Sequence, residues 1–199
     1  MHRYAVFGHD RVSIGRWLGI AAIAIAGGTA HSLAWLNSLT GFEAFTKTTL
    51  STGLAYFILH WAFNKYAWKL PFFSIPDLNG IWKLEGKTLD ENGCEKYHWE
   101  GFLDIEQTWN EICLNLKTKK SQSNSHTATL SKHHGNGNGW TLTYSYKNDP
   151  TLSSSHLLNS HKGFCEIEID NELTKGTGSY FNSNGRKTVG VIVLERKQP

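Results

Sequence analysis

Trp140-Thr141-Leu142-Thr143-Tyr144-Ser145-Tyr146-Lys147 alternates apolar or aromatic residues with small polar or charged ones. A period of two puts the first set on one face of an extended chain and the second on the other. That is the pattern of a strand with one buried face. Working outward, the alternation returns at Trp82-Leu84, Leu103-Ile105, Ile112-Leu114-Leu116, Cys165-Ile167-Ile169 and Ile192-Leu194. Lys83 and Glu85, Asp104 and Glu106, and Glu166 and Glu168 take the opposite faces. Eight strands are predicted, near 81–88, 97–108, 111–118, 123–132, 140–147, 163–170, 173–181 and 187–196. Short turns join them, among them Asp90-Glu91-Asn92-Gly93, Trp109-Asn110 and Asn182-Ser183-Asn184-Gly185. Eight mostly antiparallel strands in so short a stretch predict an up-and-down β-barrel over 77–199, able to hold one small ligand. A two-sheet sandwich is the competing architecture.

Upstream the chain changes character. No charged side chain occurs between Trp17 and Phe42, and none between Thr48 and Asn64. Two helices are predicted, near 17–39 and 50–70, each long enough to cross a hydrocarbon core of roughly 30 Å. Lys65 lies near the end of the second, where it can snorkel to the headgroups. Trp17, Trp35, Trp61 and Trp68 lie toward the span ends, where indoles favour the interface. Residues 1–70 are therefore read as a transmembrane hairpin rather than a cleaved signal or a pair of buried core helices. Pro71 and Pro76 bracket a short linker, 71–76.

Arg3, Arg11 and Arg16 precede the first span, and Lys65 and Lys69 close the second, while the connecting turn holds only Glu43 and Lys47. The positive-inside rule predicts both termini and the barrel in the cytoplasm. Up to Pro76 the chain carries six Lys/Arg against two Asp/Glu; from Asp77 onward, fourteen against fifteen. The basic excess belongs to the membrane segment and suits anionic headgroups. The near-neutral barrel lacks the footprint of a protein that grips DNA or RNA. Cys94, Cys113 and Cys165 match no metal spacing and read as thiols in a reducing compartment.

Catalytic signatures are missing: there is no Walker A loop, dinucleotide fingerprint, nucleophile elbow or carboxylate pair. The chain is not read as an enzyme, and no cofactor or metal is expected; His133-His134 in a Gly/Asn loop reads as solvated. His31 and His60 stand at membrane depth, where an ionisable group is a functional candidate. Ser121, Ser123, Ser125, Thr127, Thr129 and Ser131 recur at spacing two. This hydroxyl face either lines a polar cavity or faces out while Ala128 and Leu130 point in; alternation leaves both open.

Several motifs follow one another in order. Asp77-Leu78-Asn79-Gly80-Ile81-Trp82 follows the helix pair, then Ile105-Glu106-Gln107-Thr108-Trp109 and the hydroxyl ladder. Leu142 to Asn148, His161-Lys162-Gly163, Gly178-Ser179-Tyr180-Phe181 and Gly190 to Arg196 complete the series. With the membrane helices this resembles the two-transmembrane, β-strand-rich effector of bacterial CBASS antiphage defence, associated with nucleotidyltransferases. The resemblance covers nearly the whole chain. It implies a barrel that binds a cyclic dinucleotide made by a partner nucleotidyltransferase. It further implies homo-oligomerisation in the inner membrane, membrane disruption and death of the infected cell. A membrane-anchored barrel that senses or carries a lipid or other apolar ligand is the alternative.

A cyclic dinucleotide needs aromatic faces for two bases and donors for two phosphates. The expected ligand contacts are Tyr144, Tyr146, Tyr180 and Trp109 as faces, and Arg186 beside a turn as a phosphate partner. Asn148, Thr118, Ser123 and Ser125 are the expected polar contacts.

Overall fold

The computed structural model describes residues 1–8, 11–40, 51–73, 75–133, 139–156, 158–183 and 187–197. They fall into two compact units, residues 1–8 with 74–199 and residues 9–73. The first unit carries ten strands: β1 (His2–Arg3), β2 (Ala5–Val6), β3 (Gly80–Leu89), β4 (Glu95–Gln107), β5 (Glu111–Thr118), β6 (Ser121–Lys132), β7 (Trp140–Pro150), β8 (His161–Ile169), β9 (Lys175–Ser183) and β10 (Val189–Arg196). The eight long ones pair antiparallel in sequence order. Pairing of β10 with β3 and of β5 with β6 closes the ring. The barrel is up-and-down, as the alternation predicts, and the sandwich is excluded.

The β5–β6 seam is thin. These strands pair only through Asn115–Lys117 and Gln122–Asn124. Below that point the N-terminal residues, which the sequence reading assigns to the hairpin, complete the wall. β1 runs antiparallel to β5 at Ile112, and β2 runs parallel to β6 at Thr129 and Leu130. A β-bulge at His126 shifts the register of β6 between Ser125 and Thr127. An extra residue inverts the inside–outside order beyond it. The hydroxyl ladder is therefore split. Ser123 and Ser125 point in and are buried, whereas Thr127 and Thr129 point out and bond the Ser145 and Thr143 hydroxyls. Ala128 and Leu130 take over the interior.

The barrel's two ends differ. At the end near the β4–β5 turn, Trp82, Leu103, Ile105, Ile112, Leu114, Leu130, Leu142 and Leu194 fill the interior and are at most 3% exposed. Leu78 and Trp109 cap this layer, and the Trp82 indole donates to the Leu78 carbonyl at 3.1 Å. Gln107 is buried here and ties three segments together. Its Oε1 accepts from Leu78 N at 2.9 Å, and its Nε2 donates to the Tyr4 hydroxyl at 3.0 Å and the Pro76 carbonyl at 3.2 Å. A buried amide with its partners in place fixes one register of those segments.

The second unit holds α1 (Arg11–Thr40) and α2 (Thr52–Lys65), followed by 3-10 turns at Ala67–Lys69 and Pro71–Phe73. Over Arg11–Leu39, α1 is long and apolar enough to cross a membrane. By contrast α2 has 14 residues, about 21 Å at 1.5 Å per residue, and ends well before the predicted Leu70. Ala22 is fully buried and Ala26 half-buried in a unit where α1 packs on α2, while Ala30 and Ala34 are exposed. Trp17, Trp35 and Trp61 are exposed as interface anchors would be, but Trp68 is buried. His31 is exposed, and the His60 ring sits 5.8 Å from Tyr56 on its own helix.

Candidate functional site

The end of the barrel formed by the β3–β4, β5–β6 and β7–β8 connections contains a cavity of about 900 Å³. That volume lies within the range of small-molecule sites. Its floor is the aliphatic layer at Leu84, Leu116 and Ile192, and its walls are aromatic and polar. Of the expected contacts, Tyr144, Tyr146, Asn148, Tyr180, Thr118 and Ser123 all line it. Two do not join them. Trp109 lies in the β4–β5 turn, 3% exposed at the opposite end of the barrel, where it caps the core. Ser125 points inward but below the cavity, and its Oγ is held by Leu114 N at 2.9 Å and His2 Nε2 at 2.7 Å. Arg186 lies outside the described residues. Trp140, which opens β7, is also buried near the opposite end.

The rings are positioned by glycines. Tyr146 pairs across the sheet with Gly163, Tyr180 with Gly190, and Trp99 with Gly86. A Cβ on any of the three glycines would come within 2.6 Å of the partner ring. Each ring therefore lies flat over a strand that offers no side chain. A glycine inside a strand costs stability but admits such close approach. Removing three side chains from one end also leaves room for a ligand.

Hydrogen bonds fix the rings further. The Trp99 indole donates to the Tyr180 hydroxyl at 3.1 Å, and the rings meet edge-on at 5.7 Å. Tyr180 also shares a 2.7 Å bond with Thr88, and Tyr146 donates to Asn182 Oδ1 at 2.8 Å. The rings of Tyr144 and Tyr146 are 5.8 Å apart along one strand. Ser123 donates to Asn148 Oδ1 at 2.7 Å, which leaves the Asn148 amide NH₂ as a donor. Burial pushes Tyr144 and Tyr146 well above the ordinary phenol range, so both remain neutral donors. Burial likewise pushes Cys165 up to about 12, keeping it a thiol.

Positive charge stands at the mouth. Lys119 and Lys120 form the exposed β5–β6 turn and line the cavity, with His98 and His161 also on its wall. The sequence reading missed these residues, and also Tyr97, Trp99, Thr88 and Asn182. Trp99 had a legible signal: it follows Tyr97 at spacing two into an apolar strand face. The lysines had none, because two lysines in a turn look like any solvated hairpin tip. Among the described residues no group of three or more His, Cys, Asp or Glu could hold a metal. The arrangement therefore offers aromatic faces, neutral hydroxyl and amide donors, and two lysines on a lining that also carries Glu100. It suits a ligand with flat rings and anionic linkers.

Comparison with known proteins bears on both units. A family model described as Cap15, cyclic dinucleotide receptor domain, matches residues 73–196. A second, described as Cap15, TM helices, matches residues 12–69. The chain is 34% identical to CD-NTase-associated protein 15 of Yersinia aleksiciae over 207 residues, covering 98% of this chain and 97% of that protein.

Proposed function

The chain belongs to the Cap15 family of CBASS-associated proteins, and from that premise we propose that it is a cyclic-dinucleotide-gated effector that breaches the bacterial inner membrane. The messenger, made by a partner nucleotidyltransferase after infection, enters the mouth of the barrel. Its bases stack on Tyr144, Tyr146, Tyr180 and Trp99, and its phosphates meet Lys119, Lys120 and His161, with Arg186 a further candidate. Occupied barrels assemble, gather their helices in one patch of bilayer and disrupt it. The ligand drives this only by its preference for the assembled over the free barrel.

Both helices are proposed to insert, with the termini in the cytoplasm where the messenger is made. Cation placement supports that orientation, and a family model for TM helices that matches residues 12–69, across both α1 and α2, supports insertion. For α2 insertion requires local thinning of the bilayer or snorkelling of Lys65. The observation that carries the reading is the cavity wall: tyrosines, hydroxyls and amides above a sealed aliphatic floor. A lipid carrier needs the reverse, an aliphatic cavity with a polar mouth.

The test is titration calorimetry of the detergent-solubilised full chain with a panel of cyclic dinucleotides and with free fatty acid. Saturable binding of at least one dinucleotide is expected; binding of the fatty acid alone would overturn the receptor reading. Dye entry into cells co-expressing an active or inactive nucleotidyltransferase tests the lesion, and equal entry in both would overturn the gating.

A further inference from the structure

The thin β5–β6 seam is closed by a segment that arrives from the far end of the sequence. Met1–Gly8 is held to the barrel by two residue pairs on β5, two on β6 and a 2.9 Å bond from Phe7 N to the Leu130 carbonyl. Its side chains occupy prepared positions. His2 Nε2 meets Ser125 Oγ at 2.7 Å, and Tyr4, 5% exposed, donates to the Thr108 carbonyl at 3.2 Å. Gly8, at φ +76°, ends the segment in a backbone conformation that side-chain-bearing residues avoid.

The seam therefore contains a slot built for one strand, bordered by two edges that the barrel leaves unpaired with each other. Such edges recruit strands. We infer that this slot is an interaction surface for a second copy of the chain, which inserts its own residues 1–8 when the protein assembles. Two features favour exchange over a permanent fit. The segment forms only two residue pairs on β5 and two on β6, so few pairs break. The receiving slot is identical in every copy, so exchange forms again the bonds it breaks, the condition that makes swapped assemblies inexpensive. A shared membrane adds a high effective concentration. This deepens the assembly named above and rests on it, but it does not depend on how the nucleotide is bound.

Arg3 and Glu111 are exposed cross-strand partners in the slot, and opposite Cβ atoms lie about 4.5–5.5 Å apart, close to disulfide reach. In full-length protein with Cys94→Ser and Cys113→Ser, one tagged copy carries Arg3→Cys and a differently tagged copy carries Glu111→Cys. A control chain carries both. Diamide oxidation of the control should give an intrachain bond, which also reports correct folding. In mixed copies a disulfide-linked heterodimer is expected, increasing several-fold when a bound cyclic dinucleotide is added. The inference is overturned if the control closes within the chain while mixed copies, shown to be assembled by an amine-reactive cross-linker, give no disulfide heterodimer. It is also overturned if no assembly occurs at saturating nucleotide. In that case the calorimetric titration separates loss of assembly from failure of the receptor reading.

Discussion

The role of Tyr146 as a base platform can be tested without touching the ring. Gly163 faces Tyr146 across β7 and β8, and a Cβ on it would lie 2.4 Å from the ring Cζ and 2.6 Å from Asn182 Oδ1. Carbon atoms pack best at about 3.5–4.0 Å, so in a Gly163→Ala variant the ring must retreat by roughly 1 Å. The 2.8 Å bond to Asn182 strains or breaks with it. Overpacking of this kind costs about 1–3 kcal/mol of stability. If a base stacks on Tyr146, a displaced face forfeits up to about 1–3 kcal/mol of binding, a rise in Kd of about 5- to 150-fold. Tyr146→Phe is the matched control. It keeps the ring and removes the hydroxyl, at about 1 kcal/mol of stability, and should leave Kd within about threefold. Calorimetry on the solubilised chain, below the Tm of each variant, reads both effects. A Gly163→Ala protein with lowered Tm and native Kd would refute stacking on this ring. Equal losses in the two variants would assign the interaction to the hydroxyl instead.

Other expectations follow from the same geometry. Replacing Lys119 and Lys120 together with Ala should weaken nucleotide binding by about 1–3 kcal/mol for each phosphate left without its ammonium partner and flatten its dependence on salt. An unchanged salt dependence would remove the turn from the site. Cys94 is exposed whereas Cys165 is buried with its thiol pushed up to about 12. At pH 8 iodoacetamide should therefore modify Cys94 in the folded protein, and Cys165 only after unfolding, as mapped by mass spectrometry. Ala30→Phe, at an exposed position on α1, should spare nucleotide binding but reduce dye entry if helices meet there. Undiminished entry would exclude that face. Ala22→Phe, at a buried position, should instead disrupt the helical unit itself.

Much of the barrel is legible because alternation is a local consequence of burying one face. The predicted strands near 111–118, 140–147 and 187–196 fall within two or three residues of β5, β7 and β10. What alternation lacks is information about ends and insertions. A two-residue strand such as β1 has no period to read, so the pattern assigns residues 1–8 to the helical segment. One inserted residue, His126, inverts the faces of everything beyond it, and the even spacing of the hydroxyls gives no sign of it. The same gap explains the mixed outcome at the site. Tyr144, Tyr146 and Tyr180 could be assigned to an interior face by pattern alone. Trp109 could not be assigned to an end of the barrel, and only the end separates a ligand contact from a core cap. For α2, apolar composition continues past Lys65, but the helix is followed by 3-10 turns leading to Pro71. Composition records which residues are apolar, not where the helical hydrogen bonds stop, so it overstates the length.

The division of the barrel along its axis has an energetic logic. A closed barrel of eight strands can fill its interior with side chains from end to end. Here the filling stops halfway, and Gly86, Gly163 and Gly190 let the rings of Trp99, Tyr146 and Tyr180 lie back against the wall. Unfilled interior forfeits packing energy, so the cavity end is the less stable half. The opposite end offsets this with a dense aliphatic layer, the Gln107 clamp and the inserted N-terminal segment. That segment closes the one seam the barrel's own strands leave thin. Substitutions at the mouth can thus alter which ligand is held while the closed end keeps the fold. Substitutions in residues 1–8 act on the seam and should change assembly before they change the cavity.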